Sequence, residues 1–197
     1  KVTYTNPHRW LPGFRPDDGD AALRTLVTRY LYAYGPATPQ HFARWLSIPP
    51  RRAVELFDEL AGELQYVELD GEPGWTMAGD TGTPRQPHRG IRLLGYFDAF
   101  VVAGQPRERL YPGAAATRGL TPAGQAGNYP VLLVDGVVGG VWHQRRSGRK
   151  LAITVEPLGE LTATQRGQLD GEVELVGAVM EATPTLTVGT VTVGPHA

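Results

Sequence analysis

The chain has 197 residues, 41% hydrophobic and 20% charged, enough for packed cores in one large domain or two small ones and unlike a disordered protein. It has no cysteine, and His8, His41, His88, His143 and His196 lack the short spacings of metal ligation, which excludes disulfides and thiolate sites and leaves no metal or other cofactor expected. That cysteine and histidine usage fits a cytoplasmic protein, no apolar run nears membrane-span length and no signal-peptide pattern is present, so no membrane contact is expected, while a formal net charge of −1 argues against a uniformly basic nucleic-acid binder.

The opening KVTYTNPHRWLPGF starts at Lys1 rather than at a methionine and reads like the middle of something longer. DAALRTLVTRYLYAYG, residues 20–35, places Leu23, Leu26, Val27, Tyr30, Leu31 and Tyr34 at helical spacing, with Asp20 or Asp18 as N-cap and Gly35 as stop. A short helix follows, with Thr38 as N-cap, Pro39 at its first position and Phe42, Trp45 and Leu46 inward. PRRAVELFDELAGEL predicts a third helix with Ala53, Val54, Phe57, Leu60 and Ala61 as its apolar stripe. QYVELDGEPGWTMA then reads as a hairpin around Asp70-Gly71, with Pro73 weakening its second strand.

Three helices followed by a hairpin is the order of a winged helix-turn-helix, whose third helix is the potential reader of the major groove. Arg51 and Arg52 are the only cations on that helix, while Glu55, Asp58, Glu59 and Glu63 would repel phosphate along most of it.

The Pro/Gly-rich GDTGTPRQPHRG, residues 79–90, marks a boundary between domains at 1–80 and 81–197. IRLLGYFDAFVVAG reads as a buried strand or strand pair, its single acid Asp98 a structural carboxylate. A short helical region lies around 106–118, and a meander follows with turns at Asp135-Gly136 and Ser147-Gly148. Residues 162–182 predict a helix capped by Thr162, with Leu169, Val173, Val176 and Met180 on its apolar face, and TLTVGTVTVG predicts a closing strand. The fold class expected is α+β: a winged helix, then a β-rich, meander or barrel-like domain with a packed C-terminal helix.

Charge is unevenly spread. Residues 1–80 carry eight Lys/Arg against eleven Asp/Glu, residues 81–157 ten against four, and residues 158–197 one against five. WHQRRSGRKL, residues 142–151, contributes Arg145, Arg146, Arg149 and Lys150 to the basic middle, at the tip of the expected hairpin. These four, with Arg51 and Arg52, are the candidate DNA contacts; His143 beside them reads as a surface residue. No GxSxG, P-loop, GxGxxG or HExxH is present, and the glycines of VDGVVGGVW suit a turn and a bulge.

RYLYAYGPATPQHFARWL, RLLGYFDAFVVAG and VLLVDGVVGGVWHQRRSGRKLAITVEPLGELT, in that order, resemble the winged-helix DNA-binding family that includes the AlkZ/YcaQ DNA glycosylases. The resemblance implies tandem winged helices and a β-rich portion around a concave, DNA-facing surface. It also implies hydrolysis of the N-glycosidic bond of bulky alkylated bases. The family's catalytic signature, Gln-apolar-Gln or Gln-apolar-Asp in an amino-terminal winged helix, positions a water and stabilises the sugar's developing positive charge. Here only Gln168-Leu169-Asp170 has those letters, in mid-helix near the carboxyl end. No catalytic residue is therefore assigned, and the chain reads as the C-terminal part of such a protein, inactive alone. Double-stranded DNA is the expected partner, with a missing winged helix or another protein as a further one. A non-enzymatic DNA-binding or regulatory module and a protein-interaction scaffold remain alternative readings.

Overall fold

A computed structural model describes residues 3–80, 82, 86 and 89–195; most of the expected linker, with His88 and His196, lies outside these. The chain forms two compact units, residues 1–82 and 83–197.

In the first unit, helix α1 spans Gly19–Tyr34, and Asp18 is its cap, its carboxylate accepting the Ala21 amide at 3.4 Å. Helix α2, Pro39–Leu46, starts in a reciprocal capping box: Thr38 Oγ1 accepts the His41 N–H at 3.2 Å and His41 Nδ1 accepts the Thr38 N–H at 3.3 Å. Helix α3 spans Pro50–Glu59, shorter than expected, because the chain turns at Leu60 and enters strand β1 at Leu64. Its apolar stripe also differs. Ala53, Leu56, Phe57 and Leu60 are buried, at helical spacing, whereas Val54 and Ala61 point off that line and are exposed. These residues close a core with Val27, Tyr30, Leu31 and Phe42, while Trp45, exposed rather than inward, lies tilted against the Tyr30 ring with centroids 5.1 Å apart. Each large apolar side chain so removed from water contributes about 2 kcal/mol.

Strand β1, Leu64–Leu69, pairs antiparallel with β2, Glu72–Met77, around a two-residue loop in which Asp70 and Gly71 both have positive φ (51° and 83°). This is the backbone of a type I′ turn. Pro73 does not weaken β2. The pair flanking such a loop, Leu69 and Glu72, exchanges hydrogen bonds, so the next residue turns its backbone nitrogen away from the partner strand, where a missing donor costs no ladder bond. Two residues on, Trp75 faces outward in the same way and bonds Ala37 in both directions, at 2.9 and 3.0 Å.

The second unit is built on a five-stranded sheet of order β3-β4-β5-β6-β7: Ile91–Leu94, Val131–Val134, Val137–Ser147, Lys150–Pro157 and Thr183–Val188. The first four form an antiparallel meander, while β7 lies parallel to β6 after a crossover through helix α7, Ala163–Val179. The expected meander is present, and among the described residues no pairing joins the outer strands β3 and β7 into a closed barrel. The bulge expected in VDGVVGGVW occurs where Leu132 pairs with Gly140 but Leu133 with Val138, leaving Gly139 extra. A Cβ on Gly140 would lie 2.4 Å from the Glu156 carbonyl oxygen, so only glycine fits there.

The run after Ile91 is half strand and half helix. It leaves the sheet at Leu94, and Ala99–Ala103 is helix α4, with Asp98 as its N-cap accepting the Phe100 amide at 2.9 Å. Helices α5, Arg107–Leu110, and α6, Ala114–Gly119, follow. Val101, Leu110, Tyr111 and Ala115 from these helices pack on Val131, Leu133 and Val138 of the sheet. Helix α7 covers the other face, with Leu169 and Val173 against Trp142, Leu151, Ile153 and Val155. The closing strand is shorter at its end than expected: beyond Val188 the chain leaves the sheet, and Val191 is buried beside Tyr129 and Val141. The Pro184 ring of β7 approaches Gly177 of α7 so closely that a Cβ there would be 2.6 Å from it.

Candidate nucleic-acid interface

The β5–β6 hairpin carries the four clustered cations. Ser147 pairs with Lys150, so the loop is Gly148-Arg149, one residue beyond the expected Ser147-Gly148. Gly148, with φ 58°, takes the first central position, the place where a type II′ turn requires glycine. Register then decides where each side chain goes. Arg146 stands opposite Leu151, which is fully buried against α7, and Arg145 opposite Ala152 on the reverse face.

The cluster is therefore divided. Arg146 lies on the α7 side, where its Nε donates to the Gly148 carbonyl at 3.0 Å. Arg145 and Lys150 share the opposite face as diagonal neighbours, and Arg149 occupies the loop. All four are exposed, and none forms an ion pair among the described residues. His143 is half-buried, two residues from Arg145 and on the same face.

Arg51 and Arg52 at the start of α3 meet a different environment. Arg52 bridges Asp20 at 3.2 Å, Glu55 at 3.4 Å and Glu59 at 3.2 Å. Arg51 pairs with Glu55 at 3.1 Å, and Arg24 with Glu59 at 3.2 Å. Exposed pairs of this kind contribute only about 0–1 kcal/mol each. Their effect here is on charge: three arginines and three carboxylates cancel, so the patch attracts a phosphate far less than two free arginines would.

Other cations of the basic middle are engaged within the second unit. Arg92 pairs with Glu172 of α7 at 3.3 Å, and Arg107 donates to the Val101 and Val102 carbonyls. Arg118 makes a two-pronged contact with Glu156, both bonds 2.9 Å, donates to the Val191 carbonyl at 2.7 Å and lies 4.4 Å over the Tyr129 ring. A cleft between the carboxyl ends of β6 and β7 and the start of α7 is lined by Glu156, Glu160 and Arg166. Glu156 is already bound by Arg118 and the Val191 amide, and Arg166 Nε donates to Leu161. Among the described residues, no group of three His, Asp or Glu residues could hold a metal ion, and no helix is long and apolar enough to cross a membrane.

Residues 1–179 match the sequence model of the family described as DNA glycosylase AlkZ-like. The chain belongs to this family. This AlkZ-like chain is 31% identical over 154 residues to an interstrand DNA cross-link repair glycosylase of Streptomyces sahachiroi, an alignment covering 72% of the chain and 40% of that protein. Its fold is similar to that of the solved S. sahachiroi DNA glycosylase AlkZ, with a TM-score of 0.75 and 26% identity over 94% of the chain and 51% of the other. The AlkZ-like chain thus spans about half the length, or less, of the relatives it matches. Within it, the triplet Gln168-Leu169-Asp170 puts Leu169 into the core beneath α7 and leaves Gln168 and Asp170 exposed to either side.

Proposed function

We propose that this chain is the DNA-binding, C-terminal portion of a glycosylase acting on bulky alkylated bases, a scaffold and phosphate clamp whose catalytic residues lie outside these 197 residues. The observation that carries the reading is the β5–β6 tip. Arg145, Arg149 and Lys150 are exposed, without a carboxylate partner among the described residues, in the segment of the chain where cations outnumber acids. A cation placed so releases counterions when it meets a phosphate, which gives affinity without reading sequence. Arg146, held toward Gly148, is a weaker contributor, and Arg51 and Arg52 contribute only where their ion pairs open.

Residues 1–80 are read as a winged helix and 81–197 as the β-rich domain. The order α1, the Ala37–Trp75 bridge, α2, α3 and the β1–β2 hairpin supports the first assignment. The neutralised, acid-rich surface of α3 favours a second reading for that helix, as a face that packs on protein rather than DNA.

Fluorescence anisotropy of a labelled random duplex, titrated at several salt concentrations, tests this function. Contacts by Arg145, Arg149 and Lys150 predict a log–log salt slope of about −3, and Arg145→Ala/Lys150→Ala is expected to remove about 0.9 per lost contact. Binding that is insensitive to salt, or to this double variant, would refute the clamp. The chain alone is expected to release no base from alkylated DNA; release would show that catalytic residues lie within it.

A further inference from the structure

The pairing of β5, β6 and β7 brings three rows of side chains to the sheet face opposite α7. At the tip, Ser147, Lys150 and Thr183 stand side by side; behind them come Arg145, Ala152 and Thr185. The third row is His143, Thr154 and Thr187. Five of these nine residues bear hydroxyls, two bear fixed positive charge, and none is acidic. The reverse of the same strands presents Leu151, Ile153, Val155 and Leu186 to α7, with Gln144 and Arg146 beside them, so the hydroxyl-bearing set belongs to one face only.

Thr183, Thr185 and Thr187 are all exposed, and their hydroxyls have no hydrogen-bond partner among the described residues. They repeat along β7 at every second residue, about 6.6 Å apart, the order of the separation between successive phosphates on one nucleic-acid strand. Backbone recognition of nucleic acid uses Ser and Thr hydroxyls beside Arg and Lys. Apart from the half-buried His143, the face offers no aromatic platform for an unstacked base, and it has no large apolar anchor for a protein partner. Ala152 at its centre keeps the floor low between Arg145 and Thr185.

The geometry points to this face, and to the threonine column of β7 in particular, as a bed for the phosphodiester backbone of duplex DNA. The inference rests on the proposed DNA-binding reading and adds to it a set of neutral contacts on a strand that carries no cation. Hydroxyls displace no counterions, so their loss weakens binding without changing its salt slope, whereas loss of Arg145 and Lys150 changes both.

The test uses the full chain, a labelled random duplex and anisotropy at several salt concentrations. Thr183→Val/Thr185→Val/Thr187→Val keeps β-branched residues in the strand and is expected to bind at least about tenfold more weakly at an unchanged slope. The corresponding triple Thr→Ser variant is expected to retain binding. Thr185→Val alone is measured beside them, so that a folding defect in the triple variant, read by circular dichroism, cannot stand in for lost contacts. Unaltered affinity in the folded valine variants, with the slope still falling in Arg145→Ala/Lys150→Ala, would overturn the threonine bed and leave the clamp standing. Absence of salt-sensitive binding by the unsubstituted chain would overturn both.

Discussion

Glu156 accepts two hydrogen bonds from Arg118 and one from the Val191 amide, and the Arg118 bonds, opposed by burial, hold its carboxyl below the ordinary range. A carboxylate depressed on folding stabilises the native state fully above its unfolded pKa, and that contribution fades as pH falls through the folded value. Thermal unfolding should therefore show Glu156→Gln less stable than the parent chain at neutral pH by on the order of 2 kcal/mol. The gap should narrow below about pH 4.5, the ordinary carboxyl value; a gap constant down to strong acid would refute the assignment. Arg118 and Arg145 are the same residue type in the same basic segment with opposite fates, and nothing local separates them. The partner of Arg118 is 38 residues away, and the carbonyl it also reaches is 73 away. The distribution of charge was legible in the sequence; which cations stayed free was not.

Elements whose signals are local could be read directly. Thr38 and Thr162 cap α2 and α7 as their spacing indicates, each in a reciprocal box with the third residue of its helix. Thr38→Ala is expected to cost about 1 kcal/mol in chemical denaturation of the first unit, and no loss would show that the short α2 is held by Phe42 and Trp45 packing alone. Elements decided by tertiary pairing were read less well. IRLLGYFDAFVVAG is apolar whether it is strand or helix, and only Asp98, a capping residue, marks the change at its middle. The hairpin loop falls one residue past Ser147-Gly148 because β5 stays paired through Ser147 and the glycine supplies the turn's positive φ. The sequence carries the helical period of α3 but not its rotation, since Val54 and Leu56 are both apolar and only the packing against α1 and α2 chooses between them.

For the chain as a whole, a net charge of −1 conceals a division of labour. The acid-rich C-terminal helix supplies Glu172 to Arg92, and β6 supplies Glu156 to Arg118, so two cations of the basic segment are neutralised inside the second unit. Four of the remaining cations stand together at one hairpin end, which gives a nearly neutral chain a local positive pole. The outer strand of the same sheet raises a separate matter, its behaviour at high concentration. Thr183 N–H bonds the Arg149 carbonyl at 2.7 Å, so the nitrogen of Pro184, next along β7, faces the unpaired edge. A proline there takes one donor out of the row on which a neighbouring chain could add a strand, a guard against lateral sheet growth. Replacing it by Pro184→Thr completes that row. Sedimentation velocity over a concentration series is then expected to show self-association beyond that of the parent chain, and identical profiles would mean that the rim is protected by something other than its proline.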